Sequence, residues 1–350
     1  MKSEQAVLLV APNWLGDAVM ALPAMADIRR YFAEARIVVA ARADVAPLFS
    51  LARCVDEVIA LQWRGSLLQG TARAADVERL RSAGAGTTIL FPNSFASAWI
   101  VRQSGSARRW GYASDMRRRL LTRAVRRPRR SMHQGAYYQH LVRELGIANG
   151  PLEPRLDVPP DVAGAARALL TAHRWDGVRS LVVVAPGAAY GTAKRWPPAH
   201  FARLVRLVTH QRRAHCVLVG SAGDTATTDW VKGALEGDAR DSIIDLTGAT
   251  SLQTVAGVMS LAAACVSNDS GAMHLAAAVG VPLAALFGPT REHETSPLVR
   301  EGGRAEVLIN PVWCRPCMLR ECPIDHRCMK GLSPERVFGT LERLMGVARQ

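Results

Sequence analysis

Short runs of β-branched and aliphatic residues return along this chain at intervals that leave room for one helix each, and that alternation restricts the fold more than any other feature. In the first half, residues 7–11, 36–40, 57–61 and 88–91 read as strands, with helices expected over 17–32 and 65–82. Strand, helix, strand is the unit of a parallel sheet, because parallel neighbours need a crossover and a helix supplies it. Residues 151–160 hold Pro151, Pro154, Pro159 and Pro160 with little periodicity and read as a linker. The alternation then restarts, with strands at 181–185, 216–220, 242–245, 265–267 and 282–287 and helices at 198–210, 225–235, 251–261 and 271–279. The expected fold class is α/β: two Rossmann-like, doubly wound domains, 1–150 and 161–332, facing a central cleft. A length of 350 residues suits about two domains.

In open parallel sheets, ligands bind where loops leave the carboxyl ends of strands near the reversal of strand order. Four motifs follow strands in this way. Ala-Pro-Asn-Trp-Leu-Gly-Asp-Ala, 11–18, brings Asp17 to the start of the first helix, as a carboxylate for acid–base chemistry or as a helix-terminus residue. Residues 185–198, Ala-Pro-Gly-Ala-Ala-Tyr-Gly-Thr-Ala-Lys-Arg-Trp-Pro-Pro, set Gly187 and Gly191 beside Lys194 and Arg195. Flexible backbone next to cations suits a diphosphate cradle, although a solvated loop with an incidental basic pair has the same composition. Residues 266–278 end a strand at Asn268-Asp269 and open a helix at Ser270-Gly271, where free amides make an anion site. His274 falls on the same helical face, as a site residue or as a packing histidine. Leu-Phe-Gly-Pro-Thr, 286–290, is a turn that could wall the same pocket.

Lys plus Arg number 44 against 30 Asp plus Glu, a formal charge of +14, so the surface attracts polyanions. Eleven arginines lie between Arg102 and Arg130, with Asp115 the only acid among them. Such a one-sided run repels itself unless something anionic faces it. Arg117, Arg118 and Arg119 are its densest part and the expected docking residues. Nucleic acid is the competing partner, but no recognition helix, RNA-binding sheet or finger surrounds these arginines. No apolar stretch reaches the roughly 20 residues of a spanning helix, and the amino terminus carries no leader pattern, which points to a cytoplasmic protein. Cys314, Cys317, Cys322 and Cys328 could hold a structural zinc or pack as reduced thiols in a loop.

The four motifs, in this order and spacing, resemble those of the ADP-heptose:lipopolysaccharide heptosyltransferases, glycosyltransferase family 9, over nearly the whole chain. The resemblance implies a GT-B architecture, an amino-terminal half for the acceptor, a carboxyl-terminal half for the nucleotide sugar, and a last helix, 333–350, crossing back toward the first domain. It implies Asp17 as the base that deprotonates the acceptor hydroxyl and Lys194 at the donor phosphates. Asp269 would contact the heptose, while Ser270 and Gly271 hold the diphosphate with Gly187 and His274 nearby. Relatives that add the first heptose carry hydroxyl residues before the lysine, where this chain has Ala188, Ala189 and Tyr190. An already heptosylated Kdo-lipid A core is therefore the expected acceptor. The implied donor is ADP-heptose, with no cofactor required and no metal in the active site. The arginine run would meet the acceptor and the anionic inner leaflet. Another nucleotide-sugar transferase of the same architecture, or a noncatalytic polyanion-binding protein with a metal-binding cysteine tail, are the alternatives.

Overall fold

A computed structural model describes residues 4–64 and 69–346. The chain forms two compact units, Met1–Asp157 and Val158–Gln350. In the first, strands β1 (Ala6–Val10), β2 (Arg36–Arg42), β3 (Glu57–Leu61), β4 (Thr87–Leu90), β5 (Arg108–Tyr112) and β6 (Arg123–Val125) form a sheet in the order β3-β2-β1-β4-β5-β6. In the second, β7 (Leu181–Ala185), β8 (His215–Leu218), β9 (Ile243–Asp245), β10 (Ala264–Asn268), β11 (Leu283–Phe287) and β12 (Ala305–Ile309) pair as β12-β11-β10-β7-β8-β9. Counted within its own unit, the second sheet repeats the order of the first. Every ladder is parallel, and β1, β7, β10 and β11 are buried along their whole length, as strands covered on both faces must be.

Each order reverses beside the unit's first strand, between β1 and β4 and between β7 and β10. Crossovers leave on opposite sides there, so the carboxyl-end loops separate and open a crevice. Each unit is thus Rossmann-like, as the sequence predicts.

Local differences from the sequence reading have physical causes. The expected helix at 17–32 is two helices, Leu15–Met20 and Leu22–Tyr31, divided at Ala21 just ahead of Pro23, which has no N–H to continue the ladder. The helix expected over 65–82 runs from Gly70 to Ser82, and its first residues, 65–68, lie outside the described residues. The division between units falls inside the expected linker, but residues 151–157 are fastened to the first unit. Gly150 N–H donates to buried Asp27, Leu156 is fully buried, and Asp157 N–H donates to Leu51. The last helix, Pro334–Gly346, puts Val337, Phe338, Leu341 and Leu344 into one apolar core with Trp196, Phe201 and Met329. That packing makes it part of the second unit; 347–350 lie outside the described residues.

Candidate active site

The crevice of the second sheet gathers the loops that follow β7, β10 and β11, three adjacent strands. Asn268, the fully buried last residue of β10, clamps the first of these loops at both ends. Its Nδ2 donates to Pro186 O at 2.7 Å, and its Oδ1 accepts from Trp196 N at 3.1 Å. Between those anchors, a single 3-10 turn, Thr192–Lys194, delivers Lys194. Lys194 Nζ lies 2.6 Å from Oδ2 of Asp269, and Thr290 Oγ1 donates to the same oxygen at 2.7 Å. Asp269 and Thr290 are buried and the lysine side chain is 13% exposed, so one cation reaches the crevice held by a carboxylate.

Beside this pair opens the Gly271–Val279 helix. Ser270 takes the N-cap position with extended backbone, yet its hydroxyl meets Ser267 Oγ at 3.1 Å instead of capping the helix. The N-cap side chain therefore leaves the first amides uncapped. Uncapped amides next to a lysine are suited to a diphosphate, through hydrogen bonds and the helix dipole together. His274, in the first turn, is 4% exposed and belongs to the interior of the unit.

The two glycines of the lysine loop are needed for contacts within the chain. A Cβ on Gly187 would collide with the Asp224 carboxylate, and one on Gly191 with the Arg320 carbonyl. Asp224 is itself fixed by Ser221, whose amide and hydroxyl donate to Oδ2 at 2.9 and 2.8 Å. Tyr190 is braced from the cysteine-rich segment, with its hydroxyl donating to Met318 O at 3.1 Å and the Arg320 guanidinium 5.2 Å from its ring centre. Lys194 lies 4.9 Å from that ring. The expected wall at 286–290 supplies Thr290; the sequence assigned no role to Asn268, within its Asn-Asp-Ser-Gly turn, or to Arg320, which no local motif announces.

In the first unit, Asp17 sits half-buried in the opening turn of the Leu15–Met20 helix, next to the β1–β4 crevice. Trp14 holds the N-cap position without a side-chain cap hydrogen bond, and Asp17 is the acid of the first turn. Its charge reaches Tyr138, whose hydroxyl is held well above the ordinary tyrosine range, first by burial and then by the Asp17 carboxylate.

The arginine run separates into two kinds. Arg117 was expected at the docking surface, but it is fully buried. Its Nε donates to Tyr112 O at 2.9 Å, and Nη1 donates to Pro92 O, Ser94 O and Ser97 Oγ. It fastens the turn after β5 to the turn after β4, and burial pushes its pKa down to about 10. Arg109 and Arg123 likewise donate to backbone carbonyls. Arg118 and Arg119 are exposed.

All seven cysteines are free thiols. Cys216 and Cys265 are buried in β8 and β10, and burial pushes both up to about 12, which makes them inert core residues. Cys314, Cys317, Cys322 and Cys328 line one cavity of about 20 Å³. Among the described residues, no three His, Cys, Asp or Glu side chains are gathered as a metal-holding group. Arg315 fixes this segment to the active site, donating to Gly288 O at 3.0 Å, Thr290 O at 3.2 Å and Glu292 at 2.8 Å.

Comparison with known proteins identifies the family. The model of the family "Glycosyltransferase family 9 (heptosyltransferase)" matches residues 73–327. Lipooligosaccharide heptosyltransferase 2 of Haemophilus influenzae is 31% identical over 302 residues, covering 83% of this chain and 86% of that protein. Lipopolysaccharide heptosyltransferase 2 of Escherichia coli is 29% identical over 349 residues, covering 97% and 98%. The solved structure of E. coli ADP-heptose lipopolysaccharide heptosyltransferase II superposes with a TM-score of 0.84 at 27% identity, covering 97% of this chain and 98% of that one. The chain belongs to glycosyltransferase family 9, the heptosyltransferases.

Proposed function

We propose that this chain is an inverting heptosyltransferase, which moves L-glycero-D-manno-heptose from ADP-heptose to the heptosylated Kdo-lipid A inner core of lipopolysaccharide. The observation that carries the reading is the pairing of Lys194 with Asp269 beside the uncapped helix start at Gly271, in the crevice of the second sheet. Family membership and the names of the relatives supply the sugar and the acceptor class.

The chemistry follows from charge. As the acceptor oxygen bonds to the anomeric carbon and the bond to the diphosphate breaks, the ring gains positive charge and the departing phosphate gains negative charge. Lys194 and the amides of Ser270 and Gly271 face that negative charge, and preorganised donors of this kind are usually the largest catalytic contribution. Asp269 holds the ammonium in place and, in this reading, contacts the heptose. Asp17 receives the acceptor proton; an ordinary aspartate is ionised at neutral pH and can do so. A single displacement with one base inverts the anomeric centre. Lys194 and the helix start together bring the positive potential that a divalent cation brings elsewhere, so the reading includes no cofactor.

In this reading the acceptor is a lipid and the reaction takes place at an anionic membrane surface on the cytoplasmic face, with Arg118 and Arg119 toward it; the strong positive charge supports this. No described helix is long and apolar enough to cross a membrane. The test is incubation with ADP-heptose and two acceptors, Kdo-lipid A with and without its first heptose. ADP release and one added heptose on the heptosylated acceptor are expected. Transfer only to the acceptor without heptose would assign the chain to the first addition, and no transfer to either would overturn the reading.

A further inference from the structure

Three arginines stand on the cysteine-rich segment 314–328, and two of them are neutralised. Arg315 pairs with Glu292 at 2.8 Å and Arg327 with Asp325 at 3.0 Å. Arg320 has no carboxylate partner among the described residues; its guanidinium lies against the Tyr190 ring, 5.2 Å from the centre. The Lys194 ammonium lies 4.9 Å from the same ring. One aromatic side chain, 39% exposed, thus gathers two cations beside the crevice that follows β7, and only the lysine is balanced by an acid, Asp269.

The lysine loop itself fixes the backbone of Arg320. The Arg320 carbonyl accepts the Ala193 amide at 2.9 Å, and it fills the space that a Cβ on Gly191 would need. Tyr190 Oη donates to Met318 O at 3.1 Å, while Arg315 holds the start of the segment on Gly288 O and Thr290 O. The segment is therefore clamped to both loops that carry Lys194 and Thr290, and the stem of Arg320 leaves from backbone tied to the lysine turn. Its side chain is exposed and is held by the ring contact alone.

Two like charges on one ring repel each other and attract an anion between them. A cation–π contact at an exposed site is weaker than a bidentate, charge-assisted bond from a guanidinium to phosphate, so an arriving phosphate takes Arg320 off the ring. Lysine supplies a point charge and arginine a planar fork, and together they suit an anion with two charged groups in a row. We propose that Arg320 is a second cation of the donor site, held on Tyr190 until a diphosphate binds and then bonded to that diphosphate beside Lys194. The proposal rests on the reading of this crevice as a nucleotide-sugar site, and it adds to that reading a donor-binding residue supplied by the cysteine-rich segment.

Titration calorimetry with inorganic pyrophosphate and with ADP tests it. Arg320→Gln is expected to weaken both about tenfold, the size of one hydrogen bond to a charged group, and Arg320→Lys should recover part of the loss. Arg213→Gln removes the same charge just ahead of β8, at the opposite edge of the sheet, and should bind both probes as wild type does. A brace acting only through the lysine would give the same result in the single variants. The deciding variant is therefore Arg320→Gln in a Lys194→Met background, where direct contact predicts a further loss of ADP affinity of similar size and a brace predicts none. Unchanged pyrophosphate affinity in Arg320→Gln, no pyrophosphate binding by the wild type, or no further loss in the Lys194→Met background would overturn the proposal. Pyrophosphate binding that depends on Arg320, in a protein that neither binds ADP nor transfers heptose, would instead overturn the nucleotide-sugar reading and leave the Arg320 assignment standing.

Discussion

Thr290 and Lys194 meet on a single oxygen: Oδ2 of Asp269 accepts the Thr290 hydroxyl at 2.7 Å and lies 2.6 Å from the Lys194 ammonium. A buried carboxylate binds a lone ammonium tightly, and a second donor on the same oxygen loosens that grip. The threonine therefore leaves Lys194 able to turn toward a diphosphate. Thr290→Val is expected to weaken ADP binding about tenfold, the size of one hydrogen bond to a charged group, while Thr290→Ser retains it. In a Lys194→Met background the valine should cost nothing further by titration calorimetry. An equal loss in both backgrounds would mean that Thr290 supports the fold without acting on the lysine.

Neighbouring arginines should separate sharply in stability measurements. Arg117→Met leaves the Tyr112, Pro92 and Ser94 carbonyls without their donor and is expected to cost about 2–4 kcal/mol in urea unfolding. Arg118→Ser, on the exposed side, should stay within about 0.5 kcal/mol of wild type. Similar small losses in both would contradict the bolt assigned to Arg117.

Acidification should destabilise the second unit before its carboxylates titrate. Burial pushes His200 and His215 below the ordinary histidine value of 6.5, and each has a buried Nδ1 without a hydrogen-bond partner. The unfolded chain gains these protons near 6.5, whereas the folded chain gains them at lower pH. Stability is therefore full above 6.5 and declines as pH falls from there toward the depressed folded values. Urea midpoints measured between pH 8 and pH 5 should show the decline, and His215→Gln should make it shallower. A flat profile in the wild type would remove these histidines from the account.

Heptosyl transfer is expected to continue at an unchanged rate in excess EDTA, because Lys194 and the Gly271 helix start provide the cationic environment for the diphosphate. A rate lost to EDTA and restored by magnesium would place a divalent cation in the donor site.

Much of the donor crevice was legible because local sequence sets it: an apolar strand, a turn of Asn, Asp, Ser and Gly, and a helix start need no distant partner to be recognised. Arg117 was misread because a run of arginines looks alike from inside and outside, and only the carbonyls of Tyr112, Pro92 and Ser94, brought in by the sheet, distinguish it. For the same reason β5 and β6, written in Arg-Arg-Trp-Gly-Tyr and Arg-Ala-Val, carried no apolar run to announce them. Gly187 and Gly191 stand out in the sequence as backbone free to approach a ligand, but what lies against them, Asp224 and the Arg320 carbonyl, comes from residues far along the chain. The prolines of 151–160 suggested a free linker; the anchoring of Gly150 by Asp27 and of Asp157 by Leu51 depends on contacts that spacing does not encode.

The most direct test separates donor binding from turnover at Asp17. With ADP-heptose and heptosylated Kdo-lipid A, Asp17→Asn is expected to reduce kcat by about 10²-fold or more while ADP affinity stays at the wild-type value. Near-normal turnover in Asp17→Asn would contradict the assignment of the acceptor proton to this carboxylate, and with it the mechanism proposed for the chain.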